Sequence, residues 1–221
     1  GALCRSRGIL FLVDATQTVG HIPVQVDQIG CDFLSLSAHK FYGPSGIGAL
    51  YVRKGIELPA FILGGDQERG RRATTHHLTG IVGLGEALRL CQERMAVEAT
   101  HEAQMREHII KEVLQIQGAR LNGSQQLRLP NNAHFSFENI DGEELVSALD
   151  MAGISVSMGS ACTWGKLEPS HVLTAMGLSE RQALGSLRIT VGRFTTTEEV
   201  QYFLEQLKQK ISLLRKTVQA G

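Results

Sequence analysis

The chain has 221 residues, 43% hydrophobic and 20% charged, which supplies a core for one large domain or two smaller ones and excludes global disorder. Lysine plus arginine and aspartate plus glutamate are both 22, so the formal charge is zero and no field gathers nucleic-acid phosphates. Aromatic content of 5% is too low for base-stacking platforms.

In chain order, residues 2–7 read as the end of a helix with Gly8 as its cap. Ile9-Leu10-Phe11-Leu12-Val13 is a continuous apolar run, expected for a parallel strand covered on both faces, and it ends on Asp14-Ala15-Thr16-Gln17. A strand reached so soon after Gly1 is expected of a chain that begins inside a domain. Residues 23–29 make a short amphipathic connection, and residues 31–37 a second buried strand. That strand runs into Ser37-Ala38-His39-Lys40, and Gly43-Pro44 stops it. The glycine-rich turn over residues 43–48 lacks G-x-x-x-x-G-K-[ST] and leads into a third strand at residues 49–53, so it is read as a tight turn with close packing, not a phosphate loop.

Residues 64–72 form a charged loop. Residues 81–117 are helical in composition, long enough to break once or to bridge two domains. Residues 133–137 alternate like a half-buried strand, a helix opens at Asp141-Gly142-Glu143-Glu144, and residues 154–157 and 187–191 look like two more strands. Thr196-Thr197-Glu198-Glu199 supplies a capping box for a last helix, whose apolar stripe includes Val200, Phe203, Leu204, Leu207 and Ile211. The order is α/β first and α+β second, with the division near Met95.

The four cysteines, Cys4, Cys31, Cys91 and Cys162, are far apart, which favours thiols in a reducing cytoplasm over disulfides or zinc. No apolar run approaches the roughly 20 residues of a membrane span, and residues 9–13 are too short for a signal sequence.

Two strands end in functional groups: Asp14 with Gln17, and Ser37, His39 and Lys40. Ligands of open α/β sheets gather at such carboxyl ends. A lysine there either snorkels to water or serves as a Schiff-base amine whose pKa burial lowers. Pyridoxal phosphate suits the whole set, because it needs a lysine, an acid for its ring nitrogen, and hydroxyl and imidazole donors for its phosphate. Taken singly, Asp14 reads as a helix cap and Lys40 as a surface lysine.

Ser157-Met158-Gly159-Ser160-Ala161-Cys162-Thr163-Trp164-Gly165 surrounds a cysteine with small residues, outside any apolar element, as a reactive thiol requires. A cysteine hydrolase pairing Cys162 with His39 or His171 is the rival reading. Arg188 is a candidate carboxylate clamp, with a surface salt bridge as its bland alternative. His76 and His77 read as solvated loop residues, and His21, His101, His108 and His134 as surface or satisfied core histidines.

Several of these segments carry a resemblance to one family. Val13-Asp14-Ala15-Thr16-Gln17 and Ser37-Ala38-His39-Lys40 resemble the cofactor motifs of the NifS/IscS-like cysteine desulfurases, which are class V aminotransferase-type enzymes of pyridoxal-phosphate fold type I. Ser160-Ala161-Cys162 with Leu167-Glu168-Pro169-Ser170 resembles their catalytic loop. Leu187-Arg188 and Gly192-Arg193-Phe194-Thr195 resemble their substrate-arginine stretch. The likeness runs from Gly1 to about Leu214.

It implies an incomplete large domain with a parallel-rich sheet, residues 1–95, and a small α+β C-terminal domain, residues 96–221, carrying the cysteine loop. It implies that Lys40 holds pyridoxal 5'-phosphate and then moves the substrate Cα proton. Asp14 would pair with the ring nitrogen, Gln17 with the phenolic oxygen, and Ser37 and His39 with the phosphate. Thr75 would reach the cofactor phosphate of a partner subunit, hence a homodimer. Arg188 would bind the carboxylate of L-cysteine. Cys162 would take its sulfur as a persulfide, leaving L-alanine, for delivery to a scaffold protein in iron–sulfur cluster assembly or another sulfur pathway. No membrane or nucleic-acid partner is implied.

Three departures stand out. The segment that precedes Gly1 in the family, with its ring-stacking histidine and further phosphate contacts, is absent from this sequence. Thr74 stands where the family has glycine, and Trp164 where small or polar residues are usual. These departures support an alternative: a truncated, non-catalytic homologue serving as a dimerisation or sulfur-partner-binding module.

Overall fold

The computed structural model describes residues 1–159 and 168–219. The chain divides into two compact units, Gly1–Val97 and Glu98–Gly221.

The first unit opens with α1 (Ala2–Ser6), which stops where Gly8 takes a left-handed backbone at φ 65°. A three-stranded sheet follows in the order β1-β2-β3, made of β1 (Leu12–Asp14), β2 (Phe33–Ser37) and β3 (Gly48–Val52), with α2 (Val26–Ile29) between the first two. β1 and β2 are parallel, in the register Asp14↔Ser35, whereas β2 and β3 are antiparallel. The reversal has a local cause. Only residues 38–47 join β2 to β3, and a parallel return would need a crossover of a dozen or more residues.

That turn depends on its glycines. A Cβ on Gly43 would sit 2.8 Å from the Ala38 Cβ, one on Gly48 2.5 Å from the Leu36 carbonyl oxygen, and Gly46 has φ 80°. The tight-packing reading of this segment holds. The expectation that residues 9–13 are covered on both faces does not. Phe11 and Val13 pack on the core, while Ile9, Leu10 and Leu12 are more than half exposed. The continuous apolar run hides a period of two, because β1 pairs on one side only and one of its faces is open among the described residues.

The core of this unit joins Ala15, Val19, Cys31, Leu34, Ala38 and Phe41 to Ala87 and Cys91 on the long helix. The charged loop contains α3 (Gln67–Gly70), in which Glu68 and Arg69 have positive φ. α4 (Leu78–Val113) is continuous, contributing residues 78–97 to the first unit and 98–113 to the second.

The second unit is an antiparallel sheet in the order β4-β5-β6, from β4 (Ala119–Leu121), β5 (Asn132–Phe137) and β6 (Ser186–Thr190). One face buries Ala133, Phe135, Phe137, Leu187 and Ile189 against residues of α4, of α5 (Gly142–Asp150) and of the last helix. Two short helices, α6 (His171–Ala175) and α7 (Glu180–Leu184), lie between α5 and β6 in sequence. β4, α6 and α7 have no counterpart in the sequence reading, being only three to five residues long. Residues 154–157 are not a strand. After Gly153 turns the chain, only Ser157 bridges to Arg188.

Both strong caps are as read. Asp141 accepts from the Glu143 and Glu144 N–H groups at α5. Thr196 and Glu199 exchange the two bonds of a capping box at α8 (Thr197–Gln219).

Candidate active site

In the first unit the functional groups gather where β1 and β2 end. Asp14 closes β1, and its Oδ1 accepts three hydrogen bonds: from the Thr16 hydroxyl at 2.5 Å, the Thr16 N–H at 3.0 Å and the Ser35 hydroxyl at 3.0 Å. The Thr16 hydroxyl contributes most. Together these bonds hold the carboxyl below the usual carboxylate range, against a small opposing effect of burial. Asp14 is therefore a fixed negative charge at neutral pH, and none of the three bonds uses Oδ2.

β2 ends at Ser37, and the chain tightens into a 3₁₀ turn, Ala38–Phe41, that buries Ala38 and Phe41 in the core. His39 and Lys40 between them are exposed. The turn spends its apolar positions on anchoring and leaves the Lys40 amine at the surface. Ser37 Oγ and His39 Nδ1 are 2.9 Å apart. In either tautomer the pair retains one further donor: Nε2–H when the serine donates, or the serine hydroxyl when Nδ1–H donates. His21 Nε2 lies 3.3 Å from the Lys40 carbonyl oxygen.

Gln17 is exposed in the turn after β1, and Thr75 is exposed in the segment before α4. Thr74 has φ 131°, in the region that favours glycine. The sequence marked this position because it departs from glycine, and the backbone keeps the glycine conformation.

Arg188 belongs to the second unit, on β6 directly opposite His134 of β5. It is half-buried, and its Nη1 donates to the Gly159 carbonyl at 3.2 Å. Among the described residues no carboxylate pairs with it, so its guanidinium keeps donors for an anion. His134 is held neutral. Burial, then the charges of Arg188 and Arg128, push its pKa down to about 4. Cys162, Trp164 and the other motif residues at 160–167 lie outside the described residues.

Sequence reasoning missed three supports, Thr16, Ser35 and His21. Thr16 could have been found from the Asp-x-Thr spacing, which favours a side-chain turn two residues on. Ser35 requires the parallel register and His21 the path of the 3₁₀ turn, neither of which a sequence pattern supplies. Among the described residues no cluster of three or more metal-ligating side chains forms, and no helix is long and apolar enough to cross a membrane.

The chain, with acid, hydroxyl, imidazole and amine at the ends of two parallel strands, matches a family model described as aminotransferase class-V over residues 1–203. The chain belongs to that family, and its fold is that of the type I pyridoxal-phosphate enzymes, with a partial large domain. It is 47% identical over 214 residues to "Cysteine desulfurase IscS" of Dictyoglomus turgidum, covering 96% of this chain and 54% of that protein. Among solved structures, a "NIFS-LIKE PROTEIN" aligns with TM-score 0.85 and 37% identity, over 94% of this chain and 53% of the other. A structure titled "SspA in complex with cysteine" aligns with TM-score 0.70 and 34% identity, over 88% and 54%. The chain thus spans about half the length of the relatives it matches.

Proposed function

We propose that this chain carries the cofactor- and substrate-handling residues of a pyridoxal-phosphate-dependent cysteine desulfurase, which converts L-cysteine to L-alanine and passes the sulfur to Cys162. The observation that carries the reading is the set at the carboxyl ends of β1 and β2: a charge-fixed Asp14, the Ser37–His39 donor pair and an exposed Lys40 amine. The donor set fits the group. A pyridinium nitrogen requires an anion, a phosphate requires hydroxyl and imidazole donors, and a carbonyl requires an amine. The names of the relatives support the same chemistry.

Lys40, Asp14, Gln17, Ser37 and His39 would hold the cofactor, with residues 1–95 serving as its domain and residues 96–221 carrying the cysteine loop. Pyridoxal phosphate, when bound, supplies an electron sink next to the substrate Cα. Asp14, kept ionised by Thr16 and Ser35, would hold a proton on the ring nitrogen. Arg188, without a carboxylate partner among the described residues, would bind the substrate carboxylate and orient Cα. The Lys40 amine would take the Cα proton. The Cys162 thiolate would attack the substrate sulfur. An S–S bond forms, the Cβ–S bond breaks, and its electron pair, with a proton, leaves the methyl group of alanine. One thiol and one cysteine thus give one persulfide and one alanine. In this reading Thr75 reaches the phosphate site of a second subunit in a cytoplasmic homodimer, and an acceptor scaffold protein takes the persulfide sulfur.

The test is a titration of the chain with pyridoxal phosphate, followed by addition of L-cysteine. Lysine-bound cofactor gives a visible absorbance band, and Lys40→Ala is expected to lack it and to lose alanine release by at least about a hundredfold. Cys162→Ser is expected to keep the band and lose alanine release. A band that persists in Lys40→Ala removes that lysine from its role, and unchanged alanine release in Cys162→Ser removes the persulfide step.

A further inference from the structure

The sheet of the second unit carries a row of polar residues on the face opposite its core. Ala133, Phe135, Leu187 and Ile189 fill the core face, so His134 and Arg188 stand on the other by the alternation of a strand. They are directly opposite each other across β5 and β6. Asn122 continues the row on one side, its N–H donating to the His134 carbonyl, and Ser157 continues it on the other, bridging to Arg188. Side chains paired in this way start from Cβ atoms about 4.5–5.5 Å apart, close enough to share one small ligand.

The His134 ring is fixed from one edge only. Asn122, only 6% exposed, donates from Nδ2 to His134 Nδ1 at 2.9 Å and to Ser136 Oγ at 2.8 Å. With Nδ1 an acceptor, the neutral ring carries its proton on Nε2. Among the described residues nothing accepts from Nε2, and that atom is not buried. His134 lines a space also lined by Gly159, the residue whose carbonyl takes the Arg188 Nη1 bond. The charges that act on His134 are the guanidinium groups of Arg188 and Arg128, with no carboxylate among them. An open donor beside a guanidinium with spare donors, in a field set by two cations, suits an anion. A neutral imidazole supplies its donor there without adding a third positive charge.

We propose that His134 is the second donor of the substrate clamp: Arg188 and the His134 Nε2–H together bind the carboxylate of the amino-acid substrate. The inference rests on the role given to Arg188 above and deepens it. Asn122 is then the positioning residue, because its amide selects the tautomer of the ring. Two neighbouring strands hold the carboxylate, so the β5–β6 register sets its direction and one long side chain does not have to.

The test is an NMR titration of the cofactor-free chain at pH 7 with L-alanine, the product of the proposed reaction, and with L-alaninamide, which lacks the carboxylate. The imidazole signals of His134 are assigned by their loss in His134→Phe, which keeps the ring shape and leaves Asn122 its bond to Ser136. L-Alanine is expected to shift the His134 Nε2 signal saturably, and L-alaninamide is not. His134→Phe is expected to bind L-alanine about tenfold more weakly, as loss of one hydrogen bond to a charged group implies. His134→Gln, which offers an N–H donor near the Nε2 position, is expected to restore most of that loss. The inference is overturned if the His134 signals ignore L-alanine while the chain binds it, if L-alaninamide moves them equally, if His134→Phe binds as tightly as the unchanged chain, or if His134→Gln is as weak as His134→Phe. Each of these results leaves Arg188 as the clamp and the proposed function intact. Binding that is unchanged in Arg188→Ala, or absent from the unchanged chain, overturns the clamp and the part of His134 with it.

Discussion

The two units treat their strands differently. β5 and β6 in the second unit have one face sealed, with Phe135 and Leu187 fully buried beneath Leu145, Leu149, Leu204 and Leu207. β1 in the first unit has a half-exposed or exposed side chain at every position, and the groups assigned to the cofactor lie in that less covered unit. The contrast separates two kinds of fixation. Arg188 and His134 are held by a sealed sheet and its register. Asp14 and His39 are held by hydrogen bonds in exposed positions, to Thr16 and Ser37 two residues away and to Ser35 across the β1–β2 register, none of which needs a deep core.

Packing substitutions should expose this difference most strongly. Leu207→Ala removes a fully buried side chain from the core of the second unit and is expected to cost about 2–5 kcal/mol, whereas Leu12→Ala, on the open face of β1, should stay within about 0.5 kcal/mol. Urea melts of the two variants check this, and equal losses would erase the contrast.

The pH dependence of the second unit comes next in size. His134 is neutral in the fold down to about pH 4, against an ordinary value of 6.5. Between those values the unfolded chain binds the extra proton and the fold does not, so stability is complete above pH 6.5 and falls as pH drops toward 4. The loss reaches on the order of 3 kcal/mol. His134→Asn is expected to flatten that part of the stability profile, as measured by chemical denaturation at pH 7 and pH 4.5. An unchanged slope would mean that this imidazole titrates alike in both states.

Two smaller effects distinguish local from tertiary fixation. Thr196→Ala breaks one half of the α8 capping box and should cost about 1 kcal/mol. Thr74→Gly should have the opposite sign. It relieves a β-branched residue held at φ 131° and is expected to stabilise by about 1 kcal/mol after the greater chain entropy of glycine is counted, seen as a melting temperature a few degrees higher. A lower melting temperature would show that the Thr74 side chain is needed where it stands.

Local chemistry was legible wherever a short motif sets its own geometry. The caps at Asp141 and Thr196, the glycine turn before β3 and the long helix follow from spacing and residue type, and the structure has them with ends shifted by a few residues. The gathering of Asp14, Ser37, His39 and Lys40 at two strand ends was legible too, because a parallel pair places its carboxyl ends on one side. The exposure of residues 9–13 was not, since a run of five apolar residues reads alike whether one face or both are covered. Nor was the failure of residues 154–157 to form a strand, because pairing belongs to the neighbour as much as to the segment.

The sequence by itself determined where the caps, the turns and the candidate residues around Asp14 and Lys40 stand, because these are written in contiguous positions. Tertiary structure decided what surrounds them. The parallel register set Ser35 beside Asp14 and fixed its charge. The 3₁₀ turn faced Lys40 outward instead of burying it. The cross-strand partner of Arg188 became His134, with the amide of Asn122 behind that ring and half of its bonding unused. Each of these depends on residues brought together from distant parts of the chain, where only folding sets the distance.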